Sequence, residues 1–330
     1  MLQTKDLAVV ILNWNGKALL EKFLPSVIHY SEDALIYVAD NASTDDSVAF
    51  VTTHFPTVKI IQNLENGGYA KGYNDALKQI EAPLLCLLNS DIEVTENWLQ
   101  PVISEFNASE ATAIIQPKIL DYKKKSHFEY AGAAGGFIDK FGYPYCRGRI
   151  FDTIEKDKGQ YNATTSIFWA SGACFFIKTR VFKTLNGFDE SYFAHMEEID
   201  LCWRAFNSDY TSKYVGTSVV YHVGGATLSH TNPKKTYLNF RNSLFSLLKN
   251  ADKNVVFKIW VRMVLDGIAA LRFLFQFKPL FFAAILKAHV AFYINLPRIL
   301  KQRKQLPKRA RYYETSSIVW SYFIKNRTRF

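Results

Sequence analysis

The chain has 330 residues, 48% of them hydrophobic and 21% charged. That balance excludes a disordered or low-complexity chain and allows one large domain with an appendage, or two domains. The net charge of +10 is uneven: residues 251–330 carry sixteen Lys and Arg against Asp252, Asp266 and Glu314, while residues 1–250 are mildly acidic, and this asymmetry predicts an anionic partner for the tail.

Met1–Asp6 is polar and leads straight into a strand-like run, so it does not read as a secretory signal. Leu7–Leu12 is a continuous apolar run that predicts a buried parallel strand. Gly16–Tyr30 has helical spacing, with Leu19, Leu20, Phe23, Leu24 and Val27 on one face. Leu35–Ala39 reads as a second strand ending at Asp40, and a helix is expected to begin at Ser43 or Thr44. Val58–Ile61, Tyr69–Ile80, Leu84–Leu88 and Trp98–Phe106 continue the strand and helix alternation. Such alternation predicts an α/β fold with a doubly wound, mainly parallel sheet, in which ligands sit beyond the carboxyl ends of the strands. Asn13, Asp40, Asn66 and Asp91 fall at or just past those ends.

After Ala111–Gln116 regularity drops. Residues 121–164 are rich in Gly, Tyr and Lys, which reads as a lid or insertion. Ile167–Ile177 reads as one strand with Gly172 at a kink, Glu197–Phe206 as a helix, and Tyr214–Val223 as a strand. The four cysteines, Cys86, Cys146, Cys174 and Cys202, form no CxxC pair and read as reduced packing residues of a cytosolic protein. From Pro233 the pattern changes to long helices. Val255–Phe277 and Leu280–Leu300 are apolar but interrupted by Arg262, Asp266, Arg272, Lys287 and His289, short of the ~18 uninterrupted apolar residues of a spanning helix. Seven basic residues lie between Arg298 and Arg311 with no acid. Apolar helices followed by a polybasic run predict an in-plane anchor on an anionic leaflet. The alternative is a helical subdomain packed on the core or on a second copy in a homodimer. Nucleic acid is disfavoured because no reading motif accompanies the charge.

Chemistry concentrates in a few places. His195-Met196-Glu197-Glu198-Ile199-Asp200 places three carboxylates in four positions, a repulsion that needs a cation, a proton or an Arg to offset it. Asp40 can accept from the ring N–H of a bound base once Ser43 or Thr44 caps the helix, and Trp14 can offer a stacking face. Asn66-Gly67-Gly68 brings backbone close to a ligand before a helix. Asn89-Ser90-Asp91 places a carboxylate able to hold Mg2+ or Mn2+ against a diphosphate. His222, before Gly224-Gly225, is a candidate additional ligand, although a lone strand-end His is more often a satisfied polar group.

The ordered motifs Val9-Val-Ile-Leu-Asn-Trp-Asn-Gly16, Asp40-Asn-Ala-Ser-Thr-Asp45, Asn66-Gly-Gly-Tyr-Ala70, Asn89-Ser-Asp91, Ser171-Gly-Ala173, Gly187-Phe-Asp-Glu190, Glu197-Glu-Ile-Asp-Leu-Cys-Trp-Arg204 and Tyr221-His222 resemble the inverting family-2 glycosyltransferases of GT-A fold over roughly residues 7–245. The rhamnosyltransferase-like branch that builds bacterial surface polysaccharides is the most similar. The resemblance implies a catalytic domain over 1–245 and a basic, membrane-associating helical region over 246–330. It implies that Trp14, Asp40, Asn66, Gly68 and Asn89 hold the nucleotide, and that Asp91 and His222 hold the metal. Asn89 replaces the first carboxylate of the family's DxD. Glu198 takes the place of the catalytic Asp, supported by Glu197, Asp200 and Arg204, with either Glu197 or Glu198 able to be the one that points at the acceptor. Asp189, Gly172 and Trp169 are expected substrate contacts.

The implied reaction moves a sugar from a nucleoside-diphosphate sugar, dTDP-rhamnose or a UDP-hexose, to a hydroxyl of a glycan acceptor carried on a polyprenyl diphosphate. The place expected for it is the inner face of the cytoplasmic membrane, to which the chain is peripheral. Two other classes compete: a nucleotidyl- or phosphotransferase on a similar sheet, which needs no base at Glu198, and a membrane-bound scaffold that binds nucleotide without turnover.

Overall fold

The computed structural model describes residues 1–224 and 232–329; Gly225, beside the His222 motif, lies outside them. The first half alternates as its periodicity predicts: β1 (Leu7–Asn13), α1 (Lys17–Tyr30), β2 (Leu35–Asp40), α2 (Ser47–His54), β3 (Lys59–Gln62), α3 (Gly68–Leu77) and β4 (Leu84–Asn89). Then follow β5 (Ile92–Val94), α4 (Gln100–Ala108) and β6 (Thr112–Asp121). The irregular stretch folds as four short strands, β7 (Gly136–Ile138), β8 (Pro144–Cys146), β9 (Arg149–Ile150) and β10 (Thr153–Ile154), paired in a small antiparallel sheet. The second half contains β11 (Thr165–Ile167), β12 (Cys174–Lys178), α5 (Thr179–Thr184), α6 (Glu197–Asn207) and β13 (Thr211–His222). Helices α7 (Pro233–Asn250), α8 (Val255–Phe275), α9 (Pro279–Gln305) and α10 (Ile318–Phe323) close the chain.

The main sheet runs β11-β13-β6-β12-β4-β1-β2-β3, with β5 added beside β13. Strands β4, β1, β2 and β3 are mutually parallel, and β13 is parallel to β6. The mainly parallel expectation is modified in the middle, where β12 lies antiparallel to both β4 and β6. Ile167–Ile177 is also not one strand. β11 pairs with β13 while β12 lies three places away, and Gly172 sits in the connection.

Parallel strands covered on both faces must be apolar on both. Leu7, Val9, Ile11, Leu84, Cys86 and Leu88 fill one side of the sheet, and Ala8, Val10, Leu85 and Leu87 the other. All four cysteines are free and buried, in line with their reading as packing residues. The register sets Asn13 beside Asp40 and Leu12 beside Asn89, which aligns the carboxyl ends of β1, β2 and β4 on one edge. β13 brings His222 to that edge, opposite Ile92 of β5.

Helix α7 packs on α6 and along α9, and α8 and α9 form a hairpin. The boundary expected at residue 245 falls inside α7. By length and composition alone α9 could cross a membrane. One side of it packs on the protein: Ala288, Phe292 and Ile299 are buried, and Arg303 donates to the carbonyls of Leu248, Ala251 and Asp252.

Candidate active site

The edge beyond β1, β2 and β4 collects the residues expected to hold a nucleotide. Trp14, just past β1, is half-exposed and free to offer a ring face; it is no core aromatic. Asp40 is buried and engaged. Asn13 Nδ2 donates to its Oδ1 at 3.1 Å and the Ser43 backbone N–H to its Oδ2 at 2.9 Å. The expectation that Ser43 or Thr44 would cap and leave Asp40 free is corrected: Asp40 closes the turn itself, because α2 begins only at Ser47. One lone pair on each oxygen remains for a ligand. Asn66 Oδ1 accepts from Asn41 Nδ2 and from the Gly68 N–H. Gly68 has φ +76°, and a Cβ there would lie 2.4 Å from Phe193 O. The close approach that this glycine permits is to the segment leading into α6.

Asp91 and His222 meet at the end of β4 and β13. Asp91 Oδ1 lies 3.2 Å from His222 Nε2, and Asn89 Nδ2 lies 3.5 Å from the same nitrogen. On the far side of the ring, Nδ1 faces Glu129 Oε1 at 3.4 Å. All three charged or titratable partners are buried. Burial opposes the imidazolium, but the two carboxylates outweigh it and push the His222 pKa up to about 10. The geometry also fits a divalent cation. Two adjacent ligands each about 2.1 Å from a six-coordinate ion lie about 3 Å apart, close to the Asp91–His222 separation. Among the described residues no group of three or more His, Cys, Asp or Glu encloses a metal position. The pair therefore provides an edge, with other positions left for phosphate oxygens and water. Glu129 occupies the place of a carboxylate that fixes the tautomer of a metal-binding imidazole.

Helix α6 presents the acidic cluster. Phe193, His195 and Met196 all have positive φ, so the chain turns sharply before Glu197. Asn242 on α7 holds that turn, its Nδ2 lying 2.7–3.1 Å from the carbonyls of Tyr192, Ala194 and His195. Arg241 donates to the carbonyls of Ser191 and Tyr192. Glu197 is buried, Glu198 is partly exposed, and the Oε2 of each has no hydrogen-bond partner. Burial, then the charge of Glu198, drives the Glu197 pKa well above the carboxylate range. Burial raises Glu198 to about 7, against the pull of the backbone N–H groups of α6. Burial thus favours the neutral form of Glu197, whereas Glu198, partly exposed although its Oε2 is buried, changes charge near neutrality. Tyr69 connects the two clusters: it feels the charges of Glu197 and Glu198 and donates to Gly172 O at 2.8 Å. The next carbonyl, Ala173 O, accepts from the Asn89 N–H.

Asp200 supports the helix. Arg204 Nε, Lys249 Nζ and Asn250 Nδ2 approach it at 2.8–2.9 Å, and Arg204 also donates to the carbonyls of Leu185 and Gly187. Two expected substrate contacts are corrected. Trp169 is 4% exposed, packs against Gly136 and donates Nε1–H to Phe137 O, which leaves no ring face for a substrate. Asp189 accepts from Ser191, Lys249 and Gln302, and Lys249, Ser191 and Arg298 outweigh burial and hold its carboxyl far below the usual range. Its oxygens are taken up in anchoring α7 and α9. Gly172 is partly exposed beside Tyr69. Glu129, Asn242 and Lys249 were not singled out by the sequence reading. Their signal was slight: one acid before the glycine-rich 130–136 run, and polar residues among the many polar residues of α7.

Residues 8–185 match the family described as Glycosyl transferase family 2. The chain belongs to that family. The family-2 chain is 24% identical over 261 residues to an N-acetylglucosaminyl-diphospho-decaprenol L-rhamnosyltransferase of Mycobacterium tuberculosis, spanning 71% of this chain and 84% of that one. It is 22% identical over 287 residues to the low-salt glycan biosynthesis hexosyltransferase Agl10 of Haloferax volcanii, spanning 83% and 86%. Among solved structures, mannosyltransferase PcManGT from Pyrobaculum calidifontis in complex with GDP-Man and Mn2+ superposes with a TM-score of 0.54 at 12% identity, over 87% of both chains. GalNAc-T7 with UDP, GalNAc and Mn2+ gives 0.59 at 17% identity, over 74% of this chain and 48% of that one. The fold is GT-A.

Proposed function

We propose that the protein is an inverting hexosyltransferase that moves a sugar from dTDP-rhamnose or a UDP-hexose to a hydroxyl of a polyprenyl-diphosphate-linked glycan in cell-surface polysaccharide synthesis. Residues 1–245 carry the chemistry, and 246–330 keep the enzyme at the inner face of the cytoplasmic membrane. One observation carries the reading: a partly exposed residue whose buried carboxyl oxygen has no partner, Glu198, stands at the head of α6 across Tyr69 and Gly172 from the Asp91–His222 edge. The relative from Mycobacterium tuberculosis, whose printed name includes a diphospho-decaprenol acceptor and a rhamnosyl group, supports the substrate class.

In this mechanism Trp14 and Asp40 orient the base, and Asn89 lies beside the diphosphate. Glu198 takes the proton of the acceptor hydroxyl as its oxygen bonds to the anomeric carbon. The bond from that carbon to the diphosphate oxygen breaks on the opposite face, so configuration inverts. Asp91 and His222 would hold Mg2+ or Mn2+, which supplies charge neutralisation for the leaving diphosphate. Glu197 stays protonated and keeps a second negative charge away from the attacking oxygen. Asp200 and Arg204 fix the helix.

The test is release of nucleoside diphosphate from a panel of nucleotide sugars with membrane lipid extract as acceptor, wild type beside Glu198→Gln. Metal-dependent release by wild type, lost in Glu198→Gln while nucleotide still binds, is the expected result. Equal release by both proteins would remove Glu198 as the base. Transfer of phosphate to the acceptor would replace the reading with phosphoryl transfer.

A further inference from the structure

Helix α8 is built inside out. Its inward face carries Lys258, Arg262 and Asp266, each at most 4% exposed, and its outward face carries Trp260, Val264, Ile268, Leu271 and Phe275, of which Phe275 is 79% exposed. A surface helix of a soluble domain has the opposite arrangement. The buried charges are paired with one another, although Asp266 Oδ2, 3.5 Å from His289 Nε2, accepts no hydrogen bond. Arg262 Nε donates to Asp266 at 2.8 Å, its guanidinium lies 3.7 Å from the Tyr143 ring centre, and Tyr143 Oη donates to Asp266 at 2.7 Å. Lys258 pairs with Asp252. The polar face is thus locked onto the protein and the apolar face has no counterpart. The turn into α9 continues the apolar surface through Phe277 and Leu280, and α9 exposes Leu286, Val290 and Ile294. So large an apolar surface marks an interaction site.

We propose that the outward face of the α8–α9 hairpin is a lipid-docking surface, lying in the plane of an anionic leaflet with the Phe275–Leu280 turn inserted. Charge selects the occupant. Lys253, Arg272, Lys278, Lys287, Lys301 and Lys304 are exposed along the two helices, and between Lys253 and Tyr313 the only acid is Asp266, which is buried. Cations alone therefore edge the apolar face. A second copy related by a twofold would set these cations against their equals, since such an interface apposes the same patch twice. Anionic headgroups neutralise them while the acyl region takes Trp260 and Ile268. The hairpin lies flat because α9 is tied to the rest of the protein by Arg303 and Gln302. This surface gives the lipid-linked acceptor reading its place at a membrane and rests on that reading for its use, though its chemistry is independent of the reaction.

Cosedimentation of the full chain with vesicles tests it, comparing phosphatidylcholine alone with phosphatidylcholine containing phosphatidylglycerol. Binding is expected to the anionic vesicles only and to weaken as salt rises from about 0.1 to 0.5 M, where the screening length falls well below 10 Å. The paired substitution Trp260→Glu and Ile268→Glu is expected to weaken binding at least about tenfold, while thermal unfolding and nucleotide binding stay as in wild type. Val264→Ser, a milder change, gives a smaller loss in the same direction. Equal sedimentation with and without anionic lipid, or binding that survives the paired substitution, overturns the proposal. A dimer by light scattering that the pair converts to monomer, without vesicle binding by either protein, assigns the face to a second copy. The vesicles contain no acceptor, so vesicle binding is read independently of the reaction; binding here, with no turnover of any donor in the separate assay with membrane lipid extract, refutes the transfer reading alone.

Discussion

Two regions of α6 treat their carboxylates in opposite ways. Asp200 is fully buried and surrounded by Arg204, Lys249 and Asn250. One turn earlier, Glu197 and Glu198 each leave an oxygen without a partner, and their pKa values rise. A buried charge that is paired stabilises geometry, whereas one that is unpaired costs stability and keeps its capacity to take a proton. The comparison teaches that the acidic run is not one feature. Its last member holds the helix, Glu198 is available for chemistry, and Glu197 beside it is buried and favoured in its neutral form.

The largest effect that separates the two roles is expected from Glu198→Gln. Turnover should fall about 10²–10⁴-fold, the usual contribution of a general base, with no loss of melting temperature. Lys249→Met acts on the other half. It leaves Asp189 and Asp200 without a shared cation, and breaking a buried pair costs about 3–5 kcal/mol, read as a fall in the urea midpoint. If Lys249→Met proved neutral, Asp200 would not be the structural member. Glu129→Gln sharpens the third cluster. Mn2+ affinity, measured by electron paramagnetic resonance, should drop about 10–100-fold, while nucleotide binding without metal is unchanged.

The smallest effect is a pH slope. The folded pKa of Glu198, about 7, lies above the ordinary glutamate value of 4.5, so the folded protein holds this proton longer than the unfolded chain does. Stability therefore falls as pH rises from about 4.5 to about 7, and the Glu198 part of that slope ends there. Glu197, raised by burial and by the charge of Glu198, contributes with the same sign. Melting temperature against pH in wild type and Glu198→Gln should differ within that window. The rate of transfer should climb with pH through the same region and level off, because the base must be ionised.

The parallel half of the fold was legible because β1 and β4 are apolar at every interior position, a pattern that only strands covered on both faces need. Asp91, Glu198 and His222 were legible from residue type and order. Less visible was what the strand crossings bring together. Glu129 reaches His222 because the segment after β6 doubles back along that strand's end, beside β13, and Asn242 reaches the turn before Glu197 because α7 packs on α6. Trp169 and Asp189 misled for a related reason. An aromatic and an acid beside a glycine motif have the composition of a binding site, yet Gly136 and Lys249, distant in sequence, had already claimed them. The inverted face of α8 was hidden too, since composition records that a helix is mixed but not which side faces inward.

The turn from Phe193 to Met196 has a consequence for how this enzyme could be improved. Left-handed residues other than glycine cost about 1–3 kcal/mol each where the surroundings enforce them, and three of the four here have positive φ. Glycine at His195 would relieve part of that cost and raise the melting temperature. It would also let the head of α6 wander from its aim. A screen of this protein for heat resistance should therefore gather substitutions at this turn that survive boiling better and transfer sugar worse, and the two traits would be parted only by changes placed elsewhere.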